Sequence, residues 1–154
     1  PRPCFIDMAD TRQWIDEALA APSQLPFAIV ETGKNRVIGS TRYLNIRREH
    51  RSLEIGWTWL GEEWQRTGIN TEMKLLLLTH AFDQLGCVRV EFKTDARNLR
   101  SQRALERIGA QREGVMRNHM IVQGNFVRDS VYFSVIDSDW PQVKERLTLL
   151  REGP

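Results

Sequence analysis

Glu63-Trp64-Gln65-Arg66-Thr67-Gly68-Ile69-Asn70-Thr71-Glu72 is the segment whose residue types can do chemistry. It follows a strand-like run, Ser52 to Leu60, and leads into Met73 to Leu85, which reads as a helix. A strand, a polar turn with one Gly and then a helix presents unpaired backbone N–H groups at the positive end of a helix dipole. That combination holds phosphate. Gly68 lets the backbone approach a ligand, and Arg66 adds a full positive charge beside the same turn. The reading is a pyrophosphate cradle over the amides of Gln65, Arg66, Thr67, Gly68, Ile69, Asn70 and Thr71. The Thr67 and Thr71 hydroxyls lie close by. A turn rich in Gly and Thr can also be only a helix start, with Arg66 a solvent-facing charge.

The elements around this turn must be long enough to position it. At 154 residues, with 41% hydrophobic and 27% charged residues, the chain is one domain able to bury a real core. No apolar run approaches the roughly 20 residues needed to span a membrane. No signal peptide pattern is visible, and the chain starts at Pro1. A net charge of +2 gives no argument for nucleic acid. The run Arg47-Arg48-Glu49-His50-Arg51 reads as a solvated loop. Cys4 and Cys87 are far apart, which argues against a disulfide framework and fits a reducing cytoplasm. Cys87, between Gly86 and an apolar strand, reads as a packing residue. His50, His80 and His119 share no metal-like spacing with Cys or acidic residues, so no metal is expected.

Asp10 to Ala20 has helical periodicity, with Thr11 as cap and Trp14, Ile15, Ala18 and Leu19 on one face. Phe27 to Glu31 and Arg36 to Ile46 read as strands about a Gly33-Lys34-Asn35 turn, and Ser52 to Leu60 as the next strand. The helix from about Ile69 to Leu85 has an apolar face too wide for a surface helix, so it should lie against a sheet. Val88 to Thr94 follows it and should run parallel to Ser52–Leu60. Asn98 to Ile108 is a second helix, stopped by Gly109. Gln111 to Val122 and Phe126 to Ile136 form a hairpin about Gln123-Gly124-Asn125. Asp139 with Pro141 opens a closing helix that ends near Leu150. The whole is a single α/β domain over residues 1–154.

Four pieces, in this order, resemble the GNAT acetyltransferase superfamily and within it the RimJ/RimL-type branch. They are Leu53 to Leu60, Trp64 to Asn70, Asn98 to Ala110, and Arg128-Asp129-Ser130-Val131-Tyr132-Phe133. The family has another Gly or Ala two places after the cradle Gly, where this chain has Asn70. The family's opening strand and first helix are expected to be missing ahead of Pro1, which leaves one wall of the acceptor site unseen. The resemblance implies a mixed sheet, centrally splayed between two parallel strands and flanked by helices. Acetyl-CoA would lie in the gap as cosubstrate. It also implies direct acetyl transfer to a primary amine, with peptide N-termini ahead of small-molecule amines. A homodimer is compatible with it.

A splayed pair leaves main-chain groups at Thr58, Trp59 and Leu60 unpaired, and pantetheine, an amide chain, can fill their places. A backbone N–H near Trp59 or Leu60 is the oxyanion donor, while Trp57 and Trp59 side chains can simply pack. Asn98 and Ser101 share one face at a helix start. Asn98 caps the helix in the plainest reading; the family pattern instead places it on the pantetheine arm and Ser101 near the sulfur, as general acid. The acceptor must lose a proton. An α-amine, with a pKa near 7.7–8.0, needs less help than a lysine side chain at about 10.4. Glu54, opposite in facing to Leu53 and Ile55, is the first choice of base, with an ordinary solvent-facing strand Glu as the alternative. His119 and Asp129 are reserves. A coenzyme-binding module without catalysis keeps the cradle and loses the base. A nucleotide-binding domain lacks the Lys-Ser/Thr pair of a P-loop.

Overall fold

The computed structural model describes residues 7–152. Cys4 lies outside the described residues. Helix α1 (Met8–Ala20) begins at Asp7, whose carboxylate accepts the amides of Ala9 and Asp10. The cap is therefore Asp7 and not Thr11, since an anionic acceptor at the start meets the orphan donors of the first turn. Of the expected apolar face only Ala18 is buried, and Leu19 is 63% exposed. Helix α1 rests on the sheet by little more than one small residue and its aromatic.

Strands β1 (Leu25–Glu31) and β2 (Arg36–Arg47) form an antiparallel hairpin, and β3 (Ser52–Leu60) returns along β2. Helix α2 (Ile69–Thr79) carries the chain across to β4 (Arg89–Asp95), which runs parallel to β3. Helix α3 (Leu99–Ile108), the hairpin of β5 (Gln111–Val122) and β6 (Phe126–Ile136), and helix α4 (Trp140–Glu152) follow. The six strands stand in the order β1-β2-β3-β4-β6-β5. This is the mixed, helix-flanked sheet that the sequence predicts. No helix among the described residues is long and apolar enough to cross a membrane.

Alternation sorts the two faces of the sheet. Leu53, Ile55, Val90, Phe92, Val131, Phe133 and Val135 point one way and join Met73, Leu78, Phe82, Leu105, Ile108, Val143 and Leu147 from the helical segments in one core. Fully burying each such side chain contributes roughly 1.5–3 kcal/mol. The other face carries charge. Arg47 and Arg89 both reach Glu91, at 3.0 and 2.9 Å, and Arg89 also pairs with Glu113, which accepts the Ser134 hydroxyl at 2.6 Å. The Arg89 guanidinium holds the Glu113 carboxyl down at about 2.

The long helix expected to run through Leu85 stops being α-helical at Thr79 and passes into one π-helical turn, His80–Gln84. The wider turn brings both Ala81 and Phe82 into the core. Gly86, at φ 65°, then ends the helix, with the Cys87 amide bonded to the Ala81 carbonyl at 2.9 Å. Two contacts fix this end. Tyr43 donates its hydroxyl to the Leu77 carbonyl at 2.6 Å, and Asp83 accepts from Trp140 and Lys144 of α4, each at 2.6 Å. Tyr43→Phe should therefore lower the unfolding free energy by about 1 kcal/mol, read from urea titration with an unchanged m-value.

Candidate active site

Three rungs join β3 to β4: Ser52 to Arg89, Leu53 to Val90 and Glu54 to Glu91. Beyond them β3 runs on to Leu60 and β4 to Asp95 without pairing, so the two strands part in the middle of the sheet. On its other side β3 stays paired with β2, but with a register shift opposite Trp57, whose φ is 51°. Thr58 is fixed beside this bulge by a 2.8 Å bond between its hydroxyl and that of Thr41. The Gly61 amide donates to Ile38 on β2 at 2.9 Å. Alternation then turns the Trp59 amide toward β2 and the Leu60 amide toward the gap. The Leu60 carbonyl, facing the same way, accepts the Gln65 side-chain amide at 3.0 Å.

The turn after β3 is built as a cap with open amides. Arg66 takes the left-handed conformation, φ 66°, while Gly68 sits in the ordinary right-handed region as the residue before helix α2. The left-handed step of the turn is thus made by Arg66. What Gly68 supplies is room: a Cβ built there meets no atom within 4 Å. The Gln65 amide is spent on the Glu62 carbonyl and the Thr71 amide on Gly68, at 3.1 and 3.0 Å. Ile69 donates weakly to the Thr67 hydroxyl, 3.4 Å, which itself donates to Trp64. Among the described residues, the amides of Arg66, Thr67, Gly68 and Asn70 have no acceptor. The Thr71 hydroxyl is turned inward, buried, and takes a bond from Arg107 at 3.1 Å. So the open donors number fewer than the sequence offered, and they cluster around the bare Cα of Gly68.

Glu54 occupies the last rung before the gap, on the charged face, and is 2% exposed. It is no solvent-facing strand residue. Its Oε2 accepts from Asn45 at 2.8 Å and faces the Lys93 ammonium at 3.4 Å. Its Oε1 extends over Gly56, where an added Cβ would come within 3.3 Å of it and 2.8 Å of Leu44. Gly56 thus leaves one carboxylate oxygen a clear path toward the parted strands. His119 lies on the same face, bonded to Ser130 at 3.0 Å and Tyr132 at 3.4 Å. Burial first, then Lys93 and Arg128, hold its imidazole below the usual histidine range. Asp129 is committed elsewhere, accepting the Asn118 amide at 2.7 Å to brace a left-handed residue.

Helix α3 begins just past the open end of β4. The Asn98 side chain accepts the Ser101 amide at 3.0 Å, so it caps the helix. The Ser101 hydroxyl makes no bond among the described residues and is half-buried. Arg100 reaches Gln65 at 3.4 Å, tying this helix start to the cradle turn.

Two buried cations escape sequence reasoning. Arg42 lies against the rings of Trp14 and Trp57, 3.8 and 5.4 Å from their centroids, with one hydrogen bond, to Gln24, and its Nε and Nη2 without a hydrogen-bond partner. Lys74, on the sheet-facing side of α2, is 6% exposed with its ammonium 4.6 Å from the Phe92 centroid. Only the break it makes in the run Met73 to Leu78 marks it in the sequence. Burial pushes its amine down to about 7, against the opposing pull of Glu54. The unfolded chain, with a lysine near 10.4, then holds a proton that the folded chain has lost, so stability should rise as pH climbs from about 7 toward about 10. Lys74→Met should flatten that slope in thermal melts.

The family described as Acetyltransferase (GNAT) domain matches residues 3–111. "Putative ribosomal N-acetyltransferase YdaF" of Bacillus subtilis (strain 168) is 34% identical over 96 residues, 62% of this chain and 51% of that protein. The chain spans about half the length of the curated relatives it matches first. The crystal structure of a GCN5-related N-acetyltransferase from Brucella melitensis superposes with TM-score 0.86 at 34% identity, over 94% of this chain and 66% of that one. A mutant of the spermidine N-acetyltransferase SpeG from Vibrio cholerae, at 16% identity and TM-score 0.75 over 88% and 79% of the chains, shares the fold. With parted central strands, a capped turn of open amides, and a family match over most of its length, the chain belongs to the GNAT acetyltransferase family.

Proposed function

We propose that the protein transfers acetyl from acetyl-CoA directly to a primary amine, with a protein or peptide N-terminal α-amine as acceptor, in the manner of the RimJ/RimL-type branch. The observation that carries this reading is the end of β3–β4 pairing at Glu54, with the amide-bearing turn at one end of the gap. Pantetheine lies as a short extra strand against β3 from Thr58 to Leu60, answering main-chain groups that β4 has left. The pyrophosphate sits on the amides of Arg66, Thr67, Gly68 and Asn70, with Arg66 adding charge.

The chemistry comes from the two sides of the gap. The incoming ammonium gives up a proton through water to Glu54, whose Oε1 is the oxygen without a partner. The neutral amine attacks the thioester carbon, and negative charge grows on its oxygen. A gap-facing amide such as that of Leu60 receives that charge. The C–S bond then breaks and the Ser101 hydroxyl protonates the sulfur. A thiol with a pKa near 8.5 leaves readily, so this last help is modest. The preference for an α-amine rests on its pKa near 7.7–8.0, which one screened carboxylate can manage. The ribosomal designation of YdaF points the same way. The named substrate of SpeG supports a polyamine as the alternative acceptor.

Thiol release with a panel of peptides and polyamines tests the assignment. Release with peptides supports it, release with polyamines alone moves the acceptor, and coenzyme binding without release leaves a non-catalytic module. Gly68→Val should leave the melting temperature unchanged and weaken coenzyme A about tenfold or more by calorimetry, since the side chain projects into the phosphate's place. Ser101→Ala should lower kcat by up to about a hundredfold at constant coenzyme affinity. Glu54→Gln should lower kcat and alter the pH–rate profile, leaving the acceptor amine's own ionisation on the acid side; a profile identical to the parent's eliminates Glu54 as base.

A further inference from the structure

The chain has four lysines, and three of them face a carboxylate. Lys34 lies 3.7 Å from Glu31, Lys93 3.4 Å from Glu54 and Lys144 2.6 Å from Asp83. Lys74 has no ion pair and no hydrogen-bond acceptor among the described residues, although it is the most buried of the four. Its place explains why this matters. It rises from the second turn of α2, and its Nζ lies over the ring of Phe92. Phe92 is the first residue of β4 beyond the last rung with β3, so the amine stands under the floor of the gap, on the helix side. Glu54 stands at the last rung, one residue back on the opposite face, and is the charged group whose field reaches Lys74.

We propose that Lys74 is a self-acetylation site, taking the acetyl group of the thioester held between β3 and β4. This rests on the reading that acetyl-CoA occupies the gap. The Nζ lone pair attacks the thioester carbon, a C–N bond forms, and the C–S bond breaks. The proton lost by nitrogen goes to the departing sulfur, so the products are Nε-acetyl-lysine and free coenzyme thiol. Two physical terms favour this lysine over the others. A large share of its amine is neutral near pH 7, because burial holds the group down to about 7, and only the neutral form is a nucleophile. Acetylation also replaces a buried cation that has no ion pair or hydrogen-bond acceptor among the described residues with an uncharged amide, which removes a desolvation cost. The added acetyl group fills the floor of the gap, so the modified protein should bind coenzyme more weakly and turn over more slowly.

The test is incubation of the full chain with acetyl-CoA and no acceptor, followed by intact mass and peptide mapping. The expected result is one acetyl group per chain at Lys74, with Lys34, Lys93 and Lys144 unmodified, and a rate that climbs as pH rises through about 7. Chain unfolded in urea should show no preference for Lys74. The modified protein should bind coenzyme A at least tenfold more weakly. If calorimetry shows coenzyme uptake while Lys74 stays unmodified, the proposal is overturned and the transferase reading stands. If no uptake occurs, both fall together. A loss of kcat in Lys74→Met without any adduct on the parent protein would also overturn it, since that pattern belongs to a group acting on the leaving sulfur.

Discussion

Hydrogen bonding between β3 and β4 lasts for three rungs and then ends, while both strands continue. A sheet interior normally leaves no main-chain group unanswered, because each unpaired buried donor or acceptor costs about 1–3 kcal/mol. The fold tolerates the parting because everything else near it is tightly held. Strand β3 keeps its pairing with β2, β4 keeps its pairing with β6, and α2 closes the gap from the core side. The opening is thus a fixed slot between two anchored strands. Its width is set by the framework, and the chemistry of its walls is set by what the two faces of the sheet place beside it.

Those faces differ in kind. The helix-covered face is mainly apolar and holds the cation Lys74, while the opposite face is a network of ion pairs with Glu54 and His119 inside it. On the charged side the Glu54 carboxylate is held by Asn45 and Lys93, with one oxygen free above Gly56. Gly56 matters there because any side chain would push that oxygen aside. The fold so places opposite electrostatic surroundings on the two faces of one slot.

Much of this is legible from residue order alone. The limits of β3, β5 and β6 agree between sequence and structure because alternation and turn residues such as Gln123-Gly124-Asn125 are local signals. The parallel step from β3 to β4 is implied by the helix between them. Asp7 is missed as cap because Thr11 fits the same role by residue type, and only the observed bonds separate them. The π-helical turn at His80–Gln84 depends on packing against Tyr43 and α4, which no window of sequence contains. Arg42 and Lys74 stay hidden for the same reason. Their burial arises from strands and rings contributed by distant segments, and a lone cation in an apolar stretch carries no local mark of that fate.

Helix α1 is attached by charge and rings in place of apolar area. Its hold on the sheet runs through the contact of Trp14 with Trp57 and with the Arg42 guanidinium beside both rings, with Ala18 as its one buried residue. Local opening costs least where little apolar surface is lost. Amides of α1 should accordingly exchange with deuterium far ahead of those in β4 or β6, making the protein graded in rigidity from its hairpin toward its first helix. Trp57 also belongs to the bulge beside the slot, so the ring that α1 leans on is part of the strand that forms one wall of the opening.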